Sequence, residues 1–239
     1  MRNKGILPGH AKIKPWLAAG VVVALTVIFS VAVRPIKAQT ANKAPSQASL
    51  HAIKILRIPF TVQAPYAKWG LPYQEACEEA SMVMVGEYFK NNKTLRLEPA
   101  YADQEILKLV EWQKKNRGFY EDTTAAEVAS ILKDYYGLQA RVVDYDPAVI
   151  KREVAAGHPV LLPAAGRKLG NPYFRRPGPL YHMLVVKGYQ GNEFITNDPG
   201  TKRGENYRYQ ESALKRAVHD WNGGKVDKGQ QVMVIVSKS

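Results

Sequence analysis

The sequence predicts an α+β domain, a helical lobe followed by an antiparallel β-sheet, preceded by one N-terminal membrane-targeting helix. Three observations carry this. Helix-periodic stretches with recognisable starts and stops fall within residues 77–156, and β-branched runs separated by glycine and proline turns dominate from residue 159 onward. Residues 16–33 form an apolar run without a single charge.

Residues 1–15 are a basic segment that includes Lys12 and Lys14. The run Trp16 to Val33 is at the short end for a spanning helix and the long end for a signal-peptide core, and the positive residues before it favour an N-in orientation with the rest exported. The small residues after it make poor cleavage sites, so an uncleaved, single-pass signal anchor in a cell membrane is expected, with the remainder extracytoplasmic; cleavage would make the protein secreted. Residues 34–52 read as a linker, because Ala, Lys, Gln and Ser leave nothing to bury. Residues 53–239 then form one domain, since a 26.7 kDa chain with 46% hydrophobic residues supports one good-sized core.

Within that domain, Ile53 to Phe60 reads as an edge strand ending at a proline and leading into the loop Thr61 to Tyr73. Next comes a helix that carries Cys77 in its first turn, with Ala80, Val83, Met84 and Phe89 spaced to bury one face. Pro99 to Lys114 is a charged, periodic helix, and Asp122-Thr123-Thr124 caps another that runs to Gly137. Arg141 to Val143 is a short strand, Pro147 to Ala156 a helix and Pro159 to Pro163 a buried strand. The loop Gly166 to Pro179 carries Arg167, Lys168, Arg175 and Arg176 and is long enough to border a cleft. Tyr181 to Tyr189 and Glu193 to Gly200 pair as a β-hairpin through Gly191-Asn192, followed by a short helix from Ser212 to Trp221 and a last strand from Gln231 to Val236.

The chemistry centres on the only cysteine. A single cysteine excludes an intramolecular disulfide and a cysteine-cluster metal site, and the five histidines show no metal-binding spacing, so no cofactor or metal is expected. Residues 1–38 hold +6 of the +13 net charge, and no basic helix with interleaved aromatics follows, so nucleic acid is not an expected partner. At a helix start, free backbone N–H groups and the positive end of the helix dipole favour a thiolate at Cys77, although Glu78 and Glu79 oppose a negative sulfur. His182 opens one hairpin strand and Asn197-Asp198 closes the next. With the turn centred on Gly191, Asp198 shares a face with His182; a strict two-residue turn puts Asn197 there instead. Gln63 and Gln74, both ahead of the cysteine, are available as oxyanion donors.

The stretch Ile58-Pro59-Phe60-Thr61-Val62-Gln63-Ala64-Pro65, then Trp69, Cys77-Glu78-Glu79-Ala80-Ser81, His182 with Val185 and Gly188-Tyr189, and Asn197-Asp198-Pro199 together resemble the C39-like peptidases, papain-like cysteine peptidases without the ABC transporter, over about residues 55–236. The resemblance implies a papain-like α+β fold, Cys77, His182 and Asp198 as a triad, and Gln63, ahead of Gln74, as oxyanion donor. Hydrolysis of amide bonds in a peptide or protein substrate is expected, with a cell-wall peptide amidase or endopeptidase and a catalytically silent peptide-binding module of the same fold as alternatives.

Overall fold

The computed structural model describes residues 53–239; the basic segment, the expected signal anchor and the linker lie outside the described residues. Among the described residues no helix is long and apolar enough to cross a membrane. The strands are β1 (Lys54–Ile55), β2 (Gln139–Asp144), β3 (Val160–Ala165), β4 (Tyr181–Gln190), β5 (Glu193–Asn197), β6 (Tyr207–Gln210) and β7 (Val232–Ser237). They form one antiparallel sheet in the order β2-β7-β3-β4-β5-β6, with β1 beside β4. The expected first strand is shorter than read: beyond Ile55 it keeps one bond to β4, from the Leu56 N–H to the Lys187 carbonyl at 2.7 Å, and then an isolated bridge from Phe60 to Arg96.

The helices are α1 (Cys77–Phe89), α2 (Pro99–Arg117), α3 (Ala125–Tyr136), α4 (Pro147–Ala155) and α5 (Glu211–Ala217). Their starts follow local chemistry. Thr124 and Glu127 form a reciprocal capping box at α3, and Asp146 accepts from the N–H groups of Ala148 and Val149 at α4. The expected single buried face of α1 is a correction: every residue from Cys77 to Glu87 is buried. A helix apolar on most sides has to be enclosed, and α1 is, lying against β4, α2 and α3. Met82, Val83, Met84 and Val85 share the core with Phe60, Ile106, Leu132, Leu161 and Leu184. Each such side chain contributes about 1.5–3 kcal/mol by leaving water, so the first turn of α1 sits on a rigid support.

The hairpin carries the feature that sets the site. Its turn is the strict two-residue one, with Gln190 opposite Glu193 and Tyr189 opposite Phe194. A β-bulge between Val186 and Gly188 then shifts the register by one, so that Val185 faces Asn197. Continued one step, this register sets residue 184 opposite 198 and returns Asp198 to the face of His182. Gly188 is required at the bulge because a Cβ there would stand 2.5 Å from the Lys54 carbonyl oxygen of β1. Lys187, the bulged residue, turns its side chain inward, and its ammonium donates to the Ile58 carbonyl at 3.0 Å. Burial lowers its pKa to about 8.

Candidate active site

Cys77 is the first residue of α1, as expected, and is 5% exposed. One turn later Ser81 donates to the carbonyl of Met183 at 3.3 Å, which fastens this end of the helix to β4 beside His182. The thiol donates to Glu78 Oε2 at 3.0 Å. Burial, then the charge of Glu78 and the hydrogen bond to it, push the thiol pKa well up, against a lowering contribution from the backbone N–H of Met183. The thiolate preference expected from the helix start is therefore outweighed in this state. Glu78 and Glu79 are fully buried rather than solvated helix-start acids. Burial, then the proximity of Glu79, raises Glu78 well above the usual carboxyl range. Glu79 is raised to about 8 by burial, although Gln113 donates to its Oε1. Glu78 Oε1 and Glu79 Oε2 have no hydrogen-bond partner among the described residues, as suits carboxyls that keep a proton.

On the sheet, His182 Nε2 lies 2.8 Å from Asp198 Oδ1, both side chains being almost wholly buried. Each carboxylate oxygen has a second partner: Oδ1 accepts from the Gly200 N–H at 2.9 Å, and Oδ2 accepts from Tyr209 at 2.6 Å and Asn171 Nδ2 at 3.1 Å. Burial alone would raise the Asp198 pKa, but the His182 charge and these hydrogen bonds leave it lowered. An ionised carboxylate only accepts, so Nε2 carries a hydrogen, and Nδ1 is the ring nitrogen not engaged by Asp198. Asn197, the alternative for this face, points away and donates to the carbonyls of Ile58 and Pro59 at 3.1 and 3.3 Å. Gly200 is needed here, since a Cβ would stand 2.9 Å from the His182 ring. The Phe174 ring meets that ring edge-on, with centroids 5.2 Å apart.

Gln63 is buried, its backbone N–H donating to Pro199 and its Nε2 donating to the carbonyls of Tyr73 and Gln74 at 2.9 and 3.1 Å. It thus ties the turn before α1 to the Asp198-Pro199-Gly200 turn. The Gln74 amide donates instead to Glu75. Cys77, His182, Gln63 and Gln74 all line one cavity of about 390 Å³. A second cavity of about 600 Å³ adjoins it through His182, Gln63 and Gln74 and is walled by Trp69, Tyr173, Phe174 and Arg175, so the loop 166–179 does border the cleft. Sequence reading missed Asn171 and Tyr209. Tyr207-Arg208-Tyr209 has the alternation of a strand, and that signal would have placed Tyr209 on the inner face beside the hairpin.

Cys77 from the first turn of α1 and His182 from β4 thus line one cavity of a mixed helix and antiparallel-sheet domain. The Peptidase_C39 like family model matches residues 55–225, and the chain belongs to that family. Its fold matches the crystal structure of a C39-like peptidase from Bacillus anthracis, with 17% identity and a TM-score of 0.51, covering 79% of this chain and 99% of that one. Two further solved structures are similar at lower scores. One is a double glycine motif protease from an AMS/PCAT transporter in complex with the leader peptide, with 17% identity, a TM-score of 0.43 and 78% and 95% of the two chains covered. The other is the peptidase domain of Streptococcus ComA, with 16% identity, a TM-score of 0.42 and 70% and 93% covered. No curated protein sequence matches the chain.

Proposed function

We propose that residues 53–239 act as a cysteine peptidase that hydrolyses peptide amide bonds through Cys77, His182 and Asp198. The observation that carries this reading is the opening of the only cysteine onto the same cavity as an imidazole whose far nitrogen is already held by a saturated carboxylate. Rotation about the Cys77 Cα–Cβ bond takes the sulfur from Glu78 toward His182, where Nδ1 accepts its proton to give a thiolate–imidazolium pair. The thiolate attacks the substrate carbonyl carbon, forming a C–S bond. The imidazolium then protonates the leaving amine as the C–N bond breaks, and water, deprotonated at Nδ1, releases the acyl group and restores the thiol.

The developing oxyanion requires donors. The Cys77 N–H, at the first position of α1, has no partner within the helix. Gln63 Nε2 is the second donor, on exchanging one of its two carbonyl partners for the oxyanion; Gln74, turned to Glu75, stands behind it. The basic start and the uncharged run 16–33 support a signal anchor that holds the domain at the outer face of a membrane through the tether 34–52. Protease accessibility of the domain on intact cells, with its release by membrane solubilisation, is the expected outcome.

A second reading, a peptide-binding module without turnover, is favoured by the Cys77–Glu78 contact, which keeps the proton on sulfur. Iodoacetamide separates the two. Alkylation of Cys77 that is fast near neutral pH and slowed in His182→Ala supports the enzyme, and slow alkylation indifferent to His182 supports the module. Digestion of a peptide library and of purified cell-wall sacculi by the full-length chain then identifies the substrate class.

A further inference from the structure

The cleft is electrostatically two-sided. On one side of His182 the cavity of about 600 Å³ is bordered by Arg175, Lys202 and Arg203 together with Trp69, Tyr173 and Phe174, and by no acidic residue. All three cations are exposed, and none forms an ion pair among the described residues. The Arg203 guanidinium lies over the Tyr173 ring, 4.7 Å from its centroid, which fixes one cation in place. Trp69 and Tyr173 are 47% and 44% exposed, so aromatic surface on this wall is left uncovered by the described residues. On the other side, the cavity holding Cys77 is bordered by Glu75, Glu78 and Asp122 and by no Lys or Arg. Asp122 is raised to about 6 by burial and by the charges of Glu75 and Glu121, the mark of acids crowded together without a counter-ion.

We propose that the cleft selects anionic peptides, with acidic side chains of the substrate lying against Arg175, Lys202, Arg203 and the neighbouring aromatics on one side of the scissile bond and excluded from the acid-lined side. This deepens the peptidase reading by giving the substrate class, and it rests on that reading only for the bond being cut. Aspartate or glutamate side chains pair with the cations, and their stems or adjacent aromatic residues cover Trp69 and Tyr173.

The test uses full-length Cys77→Ala protein and three fluorescent peptides of equal length, rich in Glu and Tyr, neutral, or rich in Lys, with binding read by anisotropy. The acidic peptide is expected to bind about tenfold more tightly than the Lys-rich one at low salt, an advantage that shrinks as salt is raised. Arg175→Glu with Arg203→Glu is expected to remove or reverse the preference. Lys115→Glu with Lys133→Glu, the same charge change on exposed helical positions away from the cleft, is expected to change it less than twofold. Equal affinity for the three peptides, or equal effects of the two double variants, overturns the proposal. Cleavage of peptides by the wild-type chain without charge preference sinks this inference and leaves the peptidase reading standing. Charge-selective binding with no cleavage does the reverse.

Discussion

On the sheet, Asp198 receives four hydrogen bonds, two to each oxygen, from groups on β4, β6, the loop 166–179 and the turn after β5, whereas on the helix Cys77 bonds to a carboxyl whose other oxygen is unpartnered. The first arrangement is saturated, and its charge is already in the form the proposed reaction requires. The second holds a proton on the group that must lose it. On the proposed peptidase reading, the difference teaches where the work of activation would fall: His182 is already oriented by Asp198, and the adjustment left to make is the release of Cys77 from Glu78. Under the proposed function, that combination would keep the sulfur inert until a substrate enters the cleft.

The most severe way to break the comparison is to remove the acceptor. His182→Ala is expected to lower kcat/KM by about 10²–10⁴, the usual range for a positioned general base. Asp198→Asn should approach this loss, because the amide offers Nε2 an N–H as readily as an oxygen and unsettles which ring nitrogen faces Cys77. Peptide turnover measured alongside circular dichroism checks both. An Asp198→Asn enzyme with unchanged kcat would detach Asp198 from the reaction.

Gly188→Ala attacks the same side indirectly. Its Cβ would press on the Lys54 carbonyl, and overpacking of this kind costs about 1–3 kcal/mol. Chemical denaturation should show that loss, and kcat should fall with it if the bulge is what brings Asp198 to His182; a stability loss with unchanged kcat would show that the bulge is structural only.

The bulge also marks how far the sequence could be read. The helices with caps, the hairpin, the order of Cys77, His182 and Asp198 and the family resemblance were all legible, because periodicity, turn residues and spacing are local signals. The choice between Asn197 and Asp198 was not. The turn Gly191-Asn192 is a two-residue one, which by itself favours Asn197, and the correction comes from a bulge at Lys187 that only packing against β1 explains. Glu78 and Glu79 were equally opaque. Acids in a first helical turn are normally solvated, and the partner of buried Glu79 is Gln113 of α2, 34 residues away. Gln63 was found by its motif, but its use in tying the turn before α1 depends on backbone carbonyls that carry no sequence signal.

On the helix side, Glu78→Gln should sharpen the contrast. In the wild type, Cys77 and Glu78 lose their protons as an interacting pair, so the iodoacetamide rate should climb with pH over a broad range. With glutamine the charge that raises the thiol pKa is gone, so the profile should narrow and move to lower pH. An unchanged profile would mean that the sulfur does not sense Glu78.

The smallest expected effect is on stability, at Glu79. The unfolded chain releases this proton at the ordinary carboxyl value, but the folded protein holds it until about pH 8. Between those limits the folded state binds more protons than the unfolded state, so Glu79 subtracts from stability progressively as pH rises through the window. Glu79→Gln keeps an oxygen for the Gln113 amide to reach and removes the ionisation. The variant should match the wild type near pH 4 and exceed it by a Tm margin that grows as pH rises toward 8. A Tm difference that stayed constant across that range would place the raised pKa elsewhere and leave Glu79 as ordinary packing behind the sulfur.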